Sequence, residues 1–251
     1  MRGFIFYIHK AKNELKQVRM QNLKNLFTYA FYFLKYNPLL AVALLIDEIK
    51  GEYKYRISTA GYEKLSDKGI DKFTLNQAFS YMPSNYVLLE RVFRKVNQFS
   101  HNQTILDMGC GKGRALIVAS RFGFVHLKGI ELVPAYCRKT IDLLTQVKKA
   151  DNKIEFQVQC MDALCYTLED NMQVLFFYNP FKERVMMEVI KNIKSSLKRA
   201  PRNLYIVYLN PLFRQNFKDE GFKEIYSVSR YKYLKACILS IENKPVGQFV
   251  T

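Results

Sequence analysis

The chain has 251 residues and 29.5 kDa, 49% of them hydrophobic and 24% charged. This excludes a disordered, collagenous or low-complexity chain and leaves one large domain, alone or with a modest appendage. With 39 basic and 22 acidic residues the net charge is +17, a balance that points to an anionic partner such as nucleic acid, ribosome, membrane surface or acidic protein. Five cysteines, an odd number with no C-x-x-C pair and no Cys/His cluster, argue against a disulfide framework and a structural zinc. They fit a reducing cytoplasm, and no metal site is expected.

In chain order, His9 and Lys10 arrive too early for a signal-peptide core. The apolar run from Leu26 to Ile46 is cut by Lys35, Asn37 and Pro38, and each piece is far short of the roughly 20 residues of a membrane span. Two helices are expected instead. The first covers 10–35, with Leu15, Val18, Leu23, Leu26, Phe27, Ala30, Phe31 and Leu34 near one stripe. The second opens at Pro38 and runs to about Ile49, with Gly51 as its stop. Lys12, Lys16, Arg19 and Lys24 precede the apolar part, so residues 10–50 are also a candidate for peripheral membrane contact. Residues 52–80 show no clear element. Pro83 to Val96 reads as a helix with Val87, Leu88, Arg91 and Val92 in phase. Residues 1–81 are thus expected to form a helical extension, as a packed cap or a lid over a substrate, and residues 82–251 the main domain.

From residue 103 strands and helices alternate. Strands are expected at Thr104–Met108, Leu127–Leu132, Ile154–Cys160, Val174–Tyr178 and Asn203–Leu209, and a terminal β pair at Phe222–Ser229 and Tyr233–Ile241. Helices are expected at Arg114–Phe122, Pro134–Val147 and Lys182–Lys198, the last with Val185, Val189, Ile190, Ile193 and Leu197 on one face. This alternation implies a parallel sheet covered on both faces.

The densest signal is Asp107-Met108-Gly109-Cys110-Gly111-Lys112-Gly113-Arg114, where a strand ends and a helix begins. Glycines let a backbone turn tightly and approach a ligand closely. The amides at the following helix start favour an anionic group. Glu131, 22 residues after Gly109 and at the end of the next strand, can accept from both hydroxyls of a ribose. Arg114 stands where a dinucleotide fingerprint needs its last glycine, and the P-loop pattern is absent, so neither of those readings fits.

The pattern resembles motif I of the class I, seven-β-strand S-adenosylmethionine-dependent methyltransferases, over about residues 82–241. Within that family the chain is similar to the non-SET protein-lysine type. The resemblance implies an α/β, Rossmann-like doubly wound seven-stranded sheet, mostly parallel with a C-terminal antiparallel hairpin. It implies S-adenosylmethionine as cofactor. Asp107, Gly109, Cys110, Gly111 and Gly113 would lie under its methionine end, Glu131 and Leu132 at its ribose, and Asp162 and Ala163 beside its adenine. Tyr178-Asn179-Pro180-Phe181 ends the fourth strand, where the family keeps its catalytic motif. Asn-Pro-Phe is similar to the [DNS]-P-P-[YF] motif of amino-group methyltransferases, with one proline in place of two. By that resemblance Asn179 and a backbone carbonyl accept from the target amine, while Tyr178 and Phe181 are walls and Pro180 shapes the turn.

Other readings of the same residues stay open. Asp162 can be a helix N-cap for 163–168, and Asn179-Pro180 a plain strand stop. Cys110 reads as a small filler, not a nucleophile. Tyr81, Ser84 and Tyr86 can reach a pocket or simply lead into a helix. Three functions are carried forward. The first is methyl transfer to an amine of a protein lysine or small molecule. The second is methyl transfer to RNA or DNA, which the charge favours. The third is a non-catalytic, membrane-associated nucleoside-binding factor. A cytoplasmic location, free or peripheral to the membrane, suits all three.

Overall fold

The computed structural model describes residues 24–29, 31, 33–34, 37–68, 76–100 and 103–242. They belong to two compact units, Met1–Glu63 with Tyr81–Pro83, and Lys64–Ser80 with Ser84–Thr251. Of the helix expected over 10–35, residues 24–29, 31 and 33–34 are helical, and the rest lies outside the described residues. Of its apolar stripe, Phe27, Phe31 and Leu34 are exposed.

The first unit contains α1, Pro38–Tyr55. The Asn37 carboxamide accepts from the Leu40 N–H at 3.1 Å, and Pro38 fills a first-turn position whose amide needs no partner. The helix runs past its expected stop. Gly51 is buried within it, and the turn comes at Arg56, with φ 55° and its N–H on the Glu52 carbonyl. Gly51 lies on the buried side of the helix with Leu44 and Glu48, so a single glycine does not end it. Glu52 Oε1 then accepts from the amides of Thr59 (2.6 Å) and Ala60 (2.8 Å), folding the chain back. Tyr81 bridges to Glu63 and donates its hydroxyl to the Thr59 carbonyl.

The second unit opens with a 3-10 turn, Leu65–Lys68, and then α2, Tyr86–Val96, capped by the Asn85 side chain on the Leu88 amide. Arg91, expected in the buried phase, is exposed, and Tyr86, Leu88, Leu89, Val92, Phe93 and Val96 make the buried face. There follow β1 Thr104–Met108, α3 Arg114–Ser120, β2 His126–Glu131, α4 Pro134–Ala150, β3 Glu155–Cys160, β4 Val174–Tyr178, α5 Glu183–Arg199, β5 Leu204–Leu209, α6 Arg214–Asp219, β6 Lys223–Arg230 and β7 Leu234–Ile241. The six-residue α6 is too short to give a period and was not expected. Residues 163–168 are not a helix but a 3-10 turn at Ala163–Cys165.

The seven strands form one sheet in the order β3-β2-β1-β4-β5-β7-β6. β1 to β5 are parallel, and β7 runs antiparallel to both β5 and β6. This is the expected doubly wound fold with its antiparallel C-terminal hairpin. The period of two divides the core between the faces. Leu106, Met108, Leu175, Phe177, Ile206 and Tyr208 join Val185, Val189, Ile190 and Ile193 of α5 on one side. Phe176 meets Phe93 of α2 on the other, with ring centroids 5.6 Å apart. α5 places Glu183 in its first turn and Lys198 and Arg199 in its last, complementing the helix dipole. Among the described residues no helix is long and apolar enough to cross a membrane.

Candidate active site

β1 and β4 are neighbours whose connections leave in opposite directions along the sheet, to β2 and to β5. Their carboxyl ends therefore border the crevice where open α/β sheets take ligands. The glycine loop leaves β1 there, and Tyr178–Phe181 leaves β4.

Gly109, Gly111 and Gly113 all have positive φ, of 87°, 55° and 80°. A Cβ on Gly109 would lie 2.4 Å from the Pro180 Cβ, so the two loops are pressed together at that point. A Cβ on Gly113 would lie 2.7 Å from Thr140 Cγ2, and the Thr140 hydroxyl donates to the Gly111 carbonyl at 2.9 Å. The amides of the loop itself are bonded within the chain. Gly109 and Cys110 both donate to the Ile130 carbonyl, Gly113 donates to the Cys110 carbonyl, and the Gly111 N–H donates to Glu131 Oε2 at 2.8 Å. The loop is therefore held by its own bonds, because β1 and β2 run in register and bring Ile130 and Glu131 alongside it.

Glu131 is buried, and its other oxygen, Oε1, accepts from the Val133 N–H at 2.8 Å. The Leu132 amide also bonds this carboxylate. Burial raises the Glu131 carboxyl above the usual carboxylate range, and the backbone bonds work against that rise. Asp107, buried on β1, is pushed well above it by desolvation and by the charge of Glu131. The Cys110 thiol is buried against Gly129, and desolvation with the nearby Asp107 and Glu131 charges raises it well above an ordinary thiol. A thiolate is disfavoured there, which agrees with the filler reading.

Leu132 and Ala163 flank the ends of β2 and β3. Asp162 is half-buried, and its Oδ1 accepts from the Leu164 N–H at 2.9 Å, so the residue caps the 3-10 turn while Oδ2 stays available. Asn179 has φ 41°, and its Oδ1 is buried without a hydrogen-bond partner among the described residues. Tyr178 and Pro180 are half-buried beside it. Phe181 packs on the core cluster, and its backbone bridges Ala78. The Lys182 N–H donates to the Gln77 carbonyl at 2.8 Å, so residues 77–78, expected in the N-terminal extension, cross the end of β4.

Sequence reasoning missed three parts of this site. Arg114 is buried, donates from Nη1 to the Ser84 carbonyl at 2.8 Å, and stacks its guanidinium 4.1 Å from the Tyr86 ring centroid. Ser84 and Tyr86 thus anchor the helix after the loop. Lys112 is buried, with Nζ 5.8 Å from the Tyr136 ring centroid, and Lys68 Nζ lies 5.4 Å from the same ring. The third is Thr140, whose position on α4 carries no distinguishing signal. A buried arginine directly after a glycine loop was the one available clue. Among the described residues no group of three His, Cys, Asp or Glu could hold a metal ion.

No protein-family model matches the chain. It is 28% identical over 137 residues to phosphoethanolamine N-methyltransferase 2 of Caenorhabditis elegans, an overlap of 51% of this chain and 30% of that protein. The chain thus spans under a third of that curated relative. Among solved structures it is similar to a SAM-dependent methyltransferase from Aquifex aeolicus, at 14% identity and TM-score 0.45 over 63% of this chain and 100% of that one. It is also similar to a SAM-dependent methyltransferase of Leishmania major, at 11% identity and TM-score 0.48 over 62% and 72%. A third is the tRNA (uracil-54, C5)-methyltransferase of Pyrococcus abyssi in complex with S-adenosyl-L-homocysteine, at 17% identity and TM-score 0.46 over 64% and 39%.

Proposed function

We propose that the chain is an S-adenosylmethionine-dependent methyltransferase that acts on an amino nitrogen. The observation that carries this reading is the Asn179 carboxamide oxygen, buried and unbonded among the described residues beside the glycine loop. A buried acceptor left unpaired costs about 1–3 kcal/mol, so it calls for a donor supplied from outside the chain. An amine N–H is such a donor. The methyltransferase name of the Caenorhabditis elegans relative supports a nitrogen acceptor of small size.

The residues present fit the cofactor. Positive-φ glycines bring bare backbone to the crevice, and Glu131, bonded to the loop, and Asp107 are buried carboxyl groups at the ends of neighbouring strands. When bound, the cofactor supplies a methyl group on a sulfonium, already activated for in-line displacement. Gly109–Gly113 would take its methionine end, Glu131 with Leu132 its ribose, and Asp162 with Ala163 its adenine. Asn179 accepts one N–H of the neutral amine and so aims the nitrogen lone pair, while Tyr178 and Pro180 limit its sideways movement. Alignment of this kind can contribute on the order of 7–11 kcal/mol. A lysine acceptor, with a free pKa of about 10.4, must first lose its proton. Asn179 orients the neutral form without removing that proton.

A nucleic-acid amine is the second reading, favoured by the net charge of +17, and its binding would weaken steeply with salt. The test uses isotopically labelled S-adenosylmethionine with cell lysate, separated into protein, nucleic acid and small molecules. Label in the small-molecule or protein fraction at nitrogen is expected. Asn179→Gly, which keeps the positive φ and deletes the oxygen, should lower transfer by about 10²-fold while leaving cofactor affinity unchanged. Unchanged transfer would remove Asn179 from the chemistry.

A further inference from the structure

We infer that α1 and the helical residues before it form a docking face for an anionic lipid surface. Fifteen large hydrophobic side chains are exposed among the described residues, and eight of them fall here: Phe27, Phe31, Leu34, Leu39, Val42, Ile46, Ile49 and Tyr53. This is a concentration, not the ordinary scatter of single exposed apolar residues. On α1 the spacing alternates between three and four, so Leu39, Val42, Ile46, Ile49 and Tyr53 form one stripe along the helix. Leu39 and Tyr53, at its two ends, are 83% and 87% exposed. The opposite side of the same helix buries Asp47 and Glu48. That side also buries Leu40, Ala41 and Leu44, so the helix already has its packed apolar face and carries a second, exposed one.

Charge identifies the occupant. Lys50 and Lys54 are exposed alongside the C-terminal half of the stripe, and Lys24 is exposed before it. None of the exposed described residues between 24 and 55 is acidic. A second copy of the chain would lay these lysines on a face of their own sign with no carboxylate to receive them. An anionic bilayer receives both parts. The stripe enters the boundary between headgroups and acyl chains, the Tyr53 ring lies at headgroup level, and the lysines reach the phosphates. The face lies along the membrane and does not cross it, and the inference does not depend on the methyl-transfer reading.

The test is co-sedimentation of the full chain with phosphatidylcholine vesicles, with and without phosphatidylglycerol. Pelleting is expected with the anionic vesicles only, falling as salt is raised. Two variants separate the contributions: Leu39→Glu with Ile46→Glu for the stripe, and Lys50→Glu with Lys54→Glu for the charges. Each pair should weaken vesicle binding by about tenfold or more, with thermal unfolding unchanged because all four positions are exposed. No pelleting at low salt would overturn the inference, as would binding that ignores both pairs. So would a dimer in sedimentation velocity that the stripe variant disperses.

Discussion

The loops after β1 and β4 leave neighbouring strands at the same end of the sheet, yet they are completed differently. Around the glycine loop the amides of Gly109, Cys110, Gly111 and Gly113 are all bonded within the protein, and Glu131 joins the loop to the start of α4. After β4 the Asn179 oxygen is buried with nothing among the described residues to receive. One side of the crevice is bonded within the protein, whereas on the other the proposed function assigns the Asn179 oxygen to a target amine. The two touch at Gly109 and Pro180, so the pre-formed loop fixes where the open one stands.

Breaking that contact should have the largest effect. Gly109→Ala sets a Cβ 2.4 Å from the Pro180 Cβ and forces a side chain into φ 87°. A loss of about 3 kcal/mol or more in unfolding free energy is expected, from overpacking and left-handed strain together. Chemical denaturation reads it, and wild-type stability would show that the loops are independent. Next comes the brace. Glu131→Ala leaves the Gly111 and Val133 amides without their acceptor, at about 1–3 kcal/mol each. Glu131→Gln retains one acceptor oxygen and should lose less. Equal losses would mean that water takes over both bonds.

The smallest effect sharpens the comparison through pH. Burial holds Asp107 well above the ordinary carboxylate range, with the Glu131 charge adding to it, and burial also raises Glu131. The folded state therefore keeps protons that the unfolded chain releases. The stability contributed by these groups is complete below about pH 4 and is lost as pH rises through their raised values. Asp107→Asn should raise the thermal midpoint at neutral pH, and the gain should shrink as pH falls toward 4. The same variant should weaken binding of the sulfonium cofactor more than binding of its neutral thioether product, measured by calorimetry. A midpoint that does not respond, or equal weakening of both ligands, would detach Asp107 from this account.

Legibility in the sequence varied with the kind of signal. β1 and β4 match their expected bounds because each is a short, nearly unbroken run buried on both faces. The register between β1 and β2 cannot be read locally, so the bonding of the loop amides to Ile130 and Glu131 was not visible. Gly51 shows the limit of a single-residue signal: glycine favours a helix end, yet here it lies within the helix on its buried side. Asp162 shows a residue whose two readings coexist, one oxygen capping Leu164 and the other available.

The clearest division lies between α5 and α1. Sequence alone determined that both are helices, that α5 carries an apolar face, that strands and helices alternate after residue 103, and that glycines occupy the turn after β1. Only the tertiary structure decided which apolar residues of each helix are buried. In α5, Val185, Val189, Ile190 and Ile193 are buried in the core, whereas in α1, Leu39, Val42, Ile46 and Ile49 are exposed. Periodicity fixes the angle between residues around a helix axis, but it carries no information about what lies on either side of that axis.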